Sequence, residues 1–246
     1  MEKLRVAGII PARYASTRFP GKPLVLIDGK PMIQRVYEQV APVLDAVVVA
    51  TDDERIYNAV IAFGGKVVMT RPDHPSGTDR CYEAFTLLES GYDVVVNIQG
   101  DEPYIHPSQV QLLVDCFDAA EVAIATLVRK ITPEEGVGFL RNPNHVKVVM
   151  NQRSEALLFS RSVIPFLRAV PEEEYLEKND FYTHIGIYAF RPEVLKAVVS
   201  LPQSSLEKAE SLEQLRWLEN GYTIRCGITT ERTVGVDTPD DLLKLK

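Results

Sequence analysis

Cysteine is scarce in this chain of 246 residues: Cys81, Cys116 and Cys226 are the full complement, odd in number and far apart. That pattern excludes a disulfide framework and a thiolate zinc cluster, and it reads as buried thiols in a reducing, cytoplasmic setting. Positive charge is outnumbered, with 27 Lys and Arg against 34 Asp and Glu, a formal net charge of −7. An acidic balance excludes broad adhesion to nucleic acid or to anionic membrane, yet leaves room for a local cationic pocket. Long apolar runs are missing, and none approaches the ~20 residues of a membrane span. The run before Pro11 has only five apolar residues and is expected to be too short for a signal peptide. Repeats, low-complexity segments and a Pro/Gly/Ser-rich linker are all lacking, so the expectation is a single domain over residues 1–246.

What the chain does have is alternation. Near-continuous β-branched runs at Val6 to Ile10, Ala46 to Ala50, Lys66 to Met69, Val94 to Ile98 and Val122 to Val128 predict buried strands. Amphipathic patterns between them predict helices over Met32 to Val40, Glu54 to Phe63, Asp79 to Leu88 and Pro107 to Phe117. Together they predict an α/β fold with a mostly parallel central sheet. The second half is less regular. "HVKVVM", "ALLFSR", "HIGIYAF" and "YTIRCGI" predict further strands, and "SLEKAESLEQLRWLENG" predicts one long helix, capped at Ser205 and ended by Asn220-Gly221. The acidic stretch Pro171 to Asp180 reads as a solvated excursion.

Several constellations carry chemistry. "IIPARYASTRFPGKPL", directly after the first strand, bears Arg13, Arg18 and Lys22 and no acid. Loops at that position in open α/β sheets hold phosphate, although charge alone would also describe a solvated basic loop. The strand Val94 to Ile98 runs into Gln99, Gly100, Asp101 and Glu102. An acidic strand end is ordinarily a turn or a cap. Beside a cationic phosphate loop it instead points to Mg²⁺, which takes one or two carboxylates plus phosphate oxygens. "TVGVDTPDDLLKL" places Asp237 at the end of a short strand, as a second metal carboxylate or as the cap of a C-terminal helix. In "TRPDHPSGTDR", Arg71, Ser76, Gly77 and Arg80 belong to a rigid loop that reads a base or holds phosphate, or that merely connects, with Thr78 capping the next helix. "FSRSVIPF", "YTHIGIYAFR" and "ESLEQLR" put Arg161, His184 and Tyr188 in or beside apolar strands, and Glu210, Glu213 and Gln214 on one helical stripe. That mixture suits a carboxylate-bearing, polyhydroxylated ligand, although an isolated half-buried His is ordinarily structural.

Taken in order from about Val6 to Leu242, these motifs with "NIQGDEP", "LEQLR" and "GVDTPDDL" resemble the 3-deoxy-manno-octulosonate cytidylyltransferase (CMP-Kdo synthetase) family. Asp79 stands where many members carry Glu, Ala189 where Gly is common, and residues 171–180 have no clear counterpart. The resemblance implies a Rossmann-like, three-layer nucleotidyltransferase fold with an elaborated second half. It implies transfer of CMP from CTP to Kdo, with pyrophosphate released, by a cytoplasmic, Mg²⁺-dependent homodimer serving lipopolysaccharide synthesis. Carried over residue by residue, it makes Asp101 and Asp237 metal ligands and Arg13 and Lys22 triphosphate-binding and catalytic. It places Arg71, Ser76 and Gly77 at the nucleotide, and Gln99, Arg161, His184, Tyr188, Glu213 and Gln214 in the sugar-acid pocket. The rival readings are a synthetase for sialic acid or amino-Kdo, and a catalytically dead nucleotide-binding regulator.

Overall fold

The computed structural model describes residues 3–15, 19–232, 235–236 and 238–245, with backbone alone for 243–245. Arg18 and Asp237 lie outside the described residues. The chain divides into two compact units, one of residues 1–114, 187–199 and 233–246, the other of residues 115–186 and 200–232.

The first unit holds β1 (Val6–Ala12), the small hairpin β2 (Leu26–Ile27) and β3 (Lys30–Pro31), α1 (Met32–Val40), β4 (Ala46–Thr51), α2 (Glu54–Ala62), β5 (Val67–Met69), α3 (Gly77–Thr86), β6 (Val94–Asn97) and most of α4 (Pro107–Asp115). β6, β1, β4 and β5 pair in parallel, in that order. Val94, Val95 and Val96 are fully buried, as their β-branched run predicts. The register pairs Ala12 with Thr51 and Ile9 with Asn97, so the chain leaves these strands along one edge. The loops that follow them therefore gather there, which is where open α/β sheets bind ligands.

The second unit holds β7 (Ile124–Lys130), α5 (Gly136–Arg141), β8 (Lys147–Met150), β9 (Ala156–Ser160), the single turn α6 (Tyr175–Lys178) and the first residues of β10 (Tyr182–Phe190). From Ile187 on, β10 belongs to the first unit, as does α7 (Pro192–Val199). There β10 runs antiparallel to β6, with Tyr188 opposite Asn97. α8 (Ser205–Glu210), α9 (Glu213–Glu219) and β11 (Ile224–Thr229) complete the second unit, with β11 parallel to β7 and β8 antiparallel to both β10 and β9. Parallel pairing dominates the first unit, and the second adds the antiparallel elaboration expected from its irregular pattern.

Three local expectations change. The long helix from Ser205 is broken: Ser211 takes a left-handed conformation (φ 51°), and α9 restarts at Glu213. Its start is capped by Ser204, not Ser205, in a reciprocal capping box with Glu207. Glu210 therefore does not share a helical stripe with Glu213 and Gln214. The acidic excursion is anchored, because Tyr175 and Leu176 pack with Ile131, Leu140 and Phe181. Near the C-terminus, Gly235 and Val236 lie in no strand, and Pro239–Leu245 form a 3-10 helix in place of an α-helix.

Candidate functional site

In the first unit, the loop after β1 is shaped by a glycine. Gly21 has φ 73°, and a Cβ there would meet the Tyr14 ring at 3.0 Å. Its N–H donates to the Tyr14 carbonyl at 2.9 Å, closing the loop and starting the 3-10 turn that carries Lys22. Lys22 Nζ donates to Asp101 Oδ2 at 2.7 Å, with the two side chains 16% and 30% exposed. The basic loop and the acidic strand end thus meet directly, although 79 residues separate them in sequence.

Gly100 owes its place to proximity. A Cβ there would lie 3.1 Å from the Pro11 carbonyl oxygen, so the chain after β6 passes hard against the end of β1. The Asp101 carbonyl accepts from the Val236 N–H at 2.9 Å, and Val236 is buried with Ile27 and Met32. Thr238 donates both its N–H and its hydroxyl to the Asp241 carboxylate, each at 2.9 Å, which ties down the start of that helix; the expected cap, Asp237, lies outside the described residues.

Glu102 is placed differently from its neighbour. Its Oε2 is buried and has no hydrogen-bond partner among the described residues, and burial, with the neighbouring Asp101 charge adding to it, pushes its pKa up to about 8. Asp101 remains the accessible carboxylate of the pair. Among the described residues no group of three or more His, Cys, Asp or Glu is placed to hold a metal ion.

Beside this pair is a cavity of about 170 Å³. The end of β1 contributes Pro11, Ala12 and Arg13, the loop before α3 contributes His74, Pro75 and Ser76, α3 contributes Gly77 and Arg80, and Gln99 comes from the segment after β6. Among the described residues no carboxylate lines it, and Arg13 and Arg80 do, so the electrostatics of that lining favour an anion. Arg80 is buried and held by Thr70 Oγ1 at 2.6 Å and Asp52 Oδ1 at 3.3 Å. Ser76, not Thr78, caps α3: its hydroxyl accepts the Thr78 and Asp79 N–H groups and donates to Asp79 at 2.6 Å. Arg71 does not reach this cavity. It lines a neighbouring one with His74, Asp79, Tyr82 and Glu83, and its N–H donates to the Glu83 carboxylate.

The second unit gathers other expected residues. His184 bonds through Nε2 to Thr126 Oγ1 at 2.9 Å and packs edge-on against Phe159. Burial lowers its pKa to about 3, so the ring is neutral at physiological pH. Arg161 takes up the helix break at Ser211, donating to the carbonyls of Glu210 (2.6 Å), Ser211 (3.3 Å) and Pro143 (3.0 Å). The Glu210 carboxylate in turn accepts from the Ser160 hydroxyl at 2.6 Å and the Arg161 N–H at 2.9 Å. Glu213 pairs with Arg216 at 2.6 Å, and Gln214 is buried. Tyr188, on the part of β10 in the first unit, is buried against Phe190.

The sequence reading singles out none of His74, Glu83 and Lys147. Lys147 is fully buried on β8 between Ser160 and Thr183, donates to the Asn142 carbonyl at 3.0 Å, and has its pKa lowered by burial. A hydrophobic run around a lysine was its only signal. His74 meets Glu83 only once the loop folds back on α3.

The architecture has known counterparts. A cytidylyltransferase family model matches residues 7–224. A 3-deoxy-manno-octulosonate cytidylyltransferase of Parabacteroides distasonis is 61% identical over 98% of this chain and 96% of its own. One from Phocaeicola vulgatus is also 61% identical, over 98% of this chain and 96% of its own. The solved structure of a CMP:2-keto-3-deoxy-manno-octonic acid synthetase complexed with CTP superposes with a TM-score of 0.90, at 46% identity, covering 98% of this chain and 96% of that one. These matches span the cationic loop, the acidic strand end and the residues lining the cavity, and the chain belongs to the cytidylyltransferase family, among the 3-deoxy-manno-octulosonate cytidylyltransferases.

Proposed function

We propose that the protein transfers the cytidylyl group of CTP to 3-deoxy-D-manno-octulosonate (Kdo), forming CMP-Kdo and releasing pyrophosphate. The observation that carries this reading is the Lys22–Asp101 pair beside a cavity lined by Arg13 and Arg80. A nucleoside triphosphate needs such a place: a base pocket at the strand ends, cations for its phosphates, and an anion to organise a metal.

Arg13 and Lys22 take the triphosphate. Gly77 and the backbone around Ser76 form the floor against which the nucleoside lies, with Arg71 outside it. Arg161, His184, Glu213 and Gln214, all of the second unit, take the sugar acid. The neutral His184 ring brings no charge to the ligand's hydroxyl groups. The anomeric hydroxyl of Kdo attacks the α-phosphorus. The bond to the bridging oxygen breaks, pyrophosphate leaves, and the hydroxyl proton passes to water. Positioning and charge neutralisation carry such a step, without a covalent enzyme intermediate.

The donor set fits Mg²⁺. Asp101 offers hard oxygens, is partly exposed, and in the free protein is neutralised by a lysine that phosphate would draw away. Asp237, outside the described residues, follows the Val236 whose N–H binds the Asp101 carbonyl, and it is the proposed second ligand. When bound, the metal neutralises charge accumulating on the phosphate oxygens. The protein works in the cytoplasm as a homodimer, supplying activated Kdo for lipopolysaccharide. The exposed Leu157 and Phe166 of the second unit are apolar surface that a partner copy would cover.

The test is pyrophosphate release from CTP and Mg²⁺ across a panel of Kdo, amino-Kdo and sialic acid. Preferred turnover of Kdo is expected. Turnover of the nine-carbon acid alone would replace the substrate, and no release with any acid would leave a nucleotide-binding regulator.

A further inference from the structure

His74 is shared by two cavities. Its side chain is only 5% exposed, and it lines both the cationic cavity of Arg13, Ser76 and Gln99 and the neighbouring cavity of Arg71, Tyr82 and Glu83. Glu83 lines only the second. The His74 ring bonds to the Glu83 carboxylate through Nε2. That carboxylate is itself held, because the Arg71 N–H donates to both of its oxygens at 3.2 and 3.3 Å. Glu83 stands on α3, whose start is locked by the Ser76 cap. The loop, the helix and the ring are thus tied together at one carboxylate.

An ionised carboxylate can only accept. Nε2 must then carry the proton, and in the neutral ring Nδ1 is left as an acceptor. Nδ1 has no hydrogen-bond partner among the described residues, and it is the ring's remaining polar atom for the cavity that Glu83 does not line. Cytosine presents an amino donor at C4, where uracil presents a carbonyl acceptor. A fixed acceptor welcomes the first and repels the second.

We infer that Glu83 is a positioning residue that fixes the His74 tautomer, making His74 Nδ1 the acceptor that selects an amino-bearing pyrimidine over its oxo counterpart. This rests on the reading that the cavity takes the nucleotide. Nothing in the local sequence announces it, since Glu83 lies nine residues beyond His74 and outside the loop.

Two measurements separate the inference from that reading. The first needs no substrate. The chain has four histidines, so ¹⁵N-histidine labelling with a His74→Gln variant identifies the His74 signals. The expected wild-type spectrum shows protonated Nε2 and bare Nδ1, and Glu83→Ala changes it. A wild-type ring protonated at Nδ1 would overturn the inference. The second is pyrophosphate release with Kdo and Mg²⁺, using CTP or UTP. Glu83→Ala is expected to lower the ratio of kcat/KM for CTP over UTP by about tenfold, the worth of one hydrogen bond. The loss should fall on KM for CTP more than on kcat. Glu83→Gln, whose amide oxygen can still accept from Nε2, should retain most of the ratio and serves if the alanine variant fails to fold. An unchanged CTP/UTP ratio with a lowered melting temperature would reduce Glu83 to a structural tie. Failure of the wild-type protein to bind CTP in a calorimetric titration would instead remove the nucleotide reading, and the base-selecting role with it, whatever the tautomer.

Discussion

Replacing Lys22 by Ala tests the charge arrangement at the heart of the site. In the free protein Lys22 neutralises Asp101 across 2.7 Å. The pair is partly solvated, so its loss should cost the fold only about 1 kcal/mol. For a chain of this length that corresponds to a drop of about 2–4 °C in melting temperature. Ligand binding should suffer more, for two reasons. A charge-assisted bond to phosphate is lost, worth about 2 kcal/mol. The Asp101 carboxylate is also left unneutralised close to the triphosphate, and at an effective dielectric of ~20 a like-charge pair several ångströms apart costs on the order of 2 kcal/mol after screening. Without metal, CTP affinity should therefore fall by at least about a hundredfold in Lys22→Ala. Adding Asp101→Asn removes the repulsion but not the missing attraction, so the double variant should bind metal-free CTP about tenfold better than Lys22→Ala alone. Isothermal titration in EDTA, with differential scanning calorimetry of each variant, measures both quantities. An affinity for CTP within twofold of wild type in Lys22→Ala would refute the phosphate role. No recovery in the double variant would refute the coupling.

Asp101→Asn alone should stay folded and lose at least about a hundredfold in kcat with Mg²⁺, as hard cations need anionic oxygen ligands; near-normal turnover would exclude Asp101 as a ligand. Gly100→Ala should lower both melting temperature and activity, because its Cβ would press to 3.1 Å on the Pro11 carbonyl; an unchanged melting temperature and rate would mean that the two strand ends separate at no cost. His184 governs acid stability. Its folded pKa of about 3 lies below the unfolded value of 6.5, so between them the unfolded chain binds more protons. The stability from keeping this ring neutral is complete above pH 6.5 and is lost progressively as pH falls toward 3, amounting to about 2 kcal/mol at pH 5. Urea unfolding at pH 5 and pH 7.5 should show this difference in the wild type and a smaller one in His184→Gln, and equal pH dependence in both would contradict it.

Much of this protein is local and so can be read along the chain. The β-branched runs of β1, β4 and β6 define buried parallel strands because only a sheet covered on both faces tolerates them. The bounds of α1 follow from its apolar spacing. The basic loop before Lys22 and the acidic end after Val96 are visible as charge against an apolar background, and a parallel sheet brings both to one edge. What the tertiary structure alone decides is how side chains are partnered at long range. The sequence pattern after Ser205 is helical throughout, yet the helix breaks at Ser211, where the Arg161 guanidinium, 50 residues away, takes the freed carbonyl. Ser76, expected at a base or phosphate, spends its hydroxyl on the cap of α3, a choice made by backbone direction at the helix start. Glu102 and Asp101 are adjacent carboxylates of the same type in sequence, and only folding buries one and leaves the other at the surface beside Lys22. Periodicity reports which face of an element is apolar. It carries no information about which buried polar group will meet which, because that depends on the packing of segments far apart in the chain.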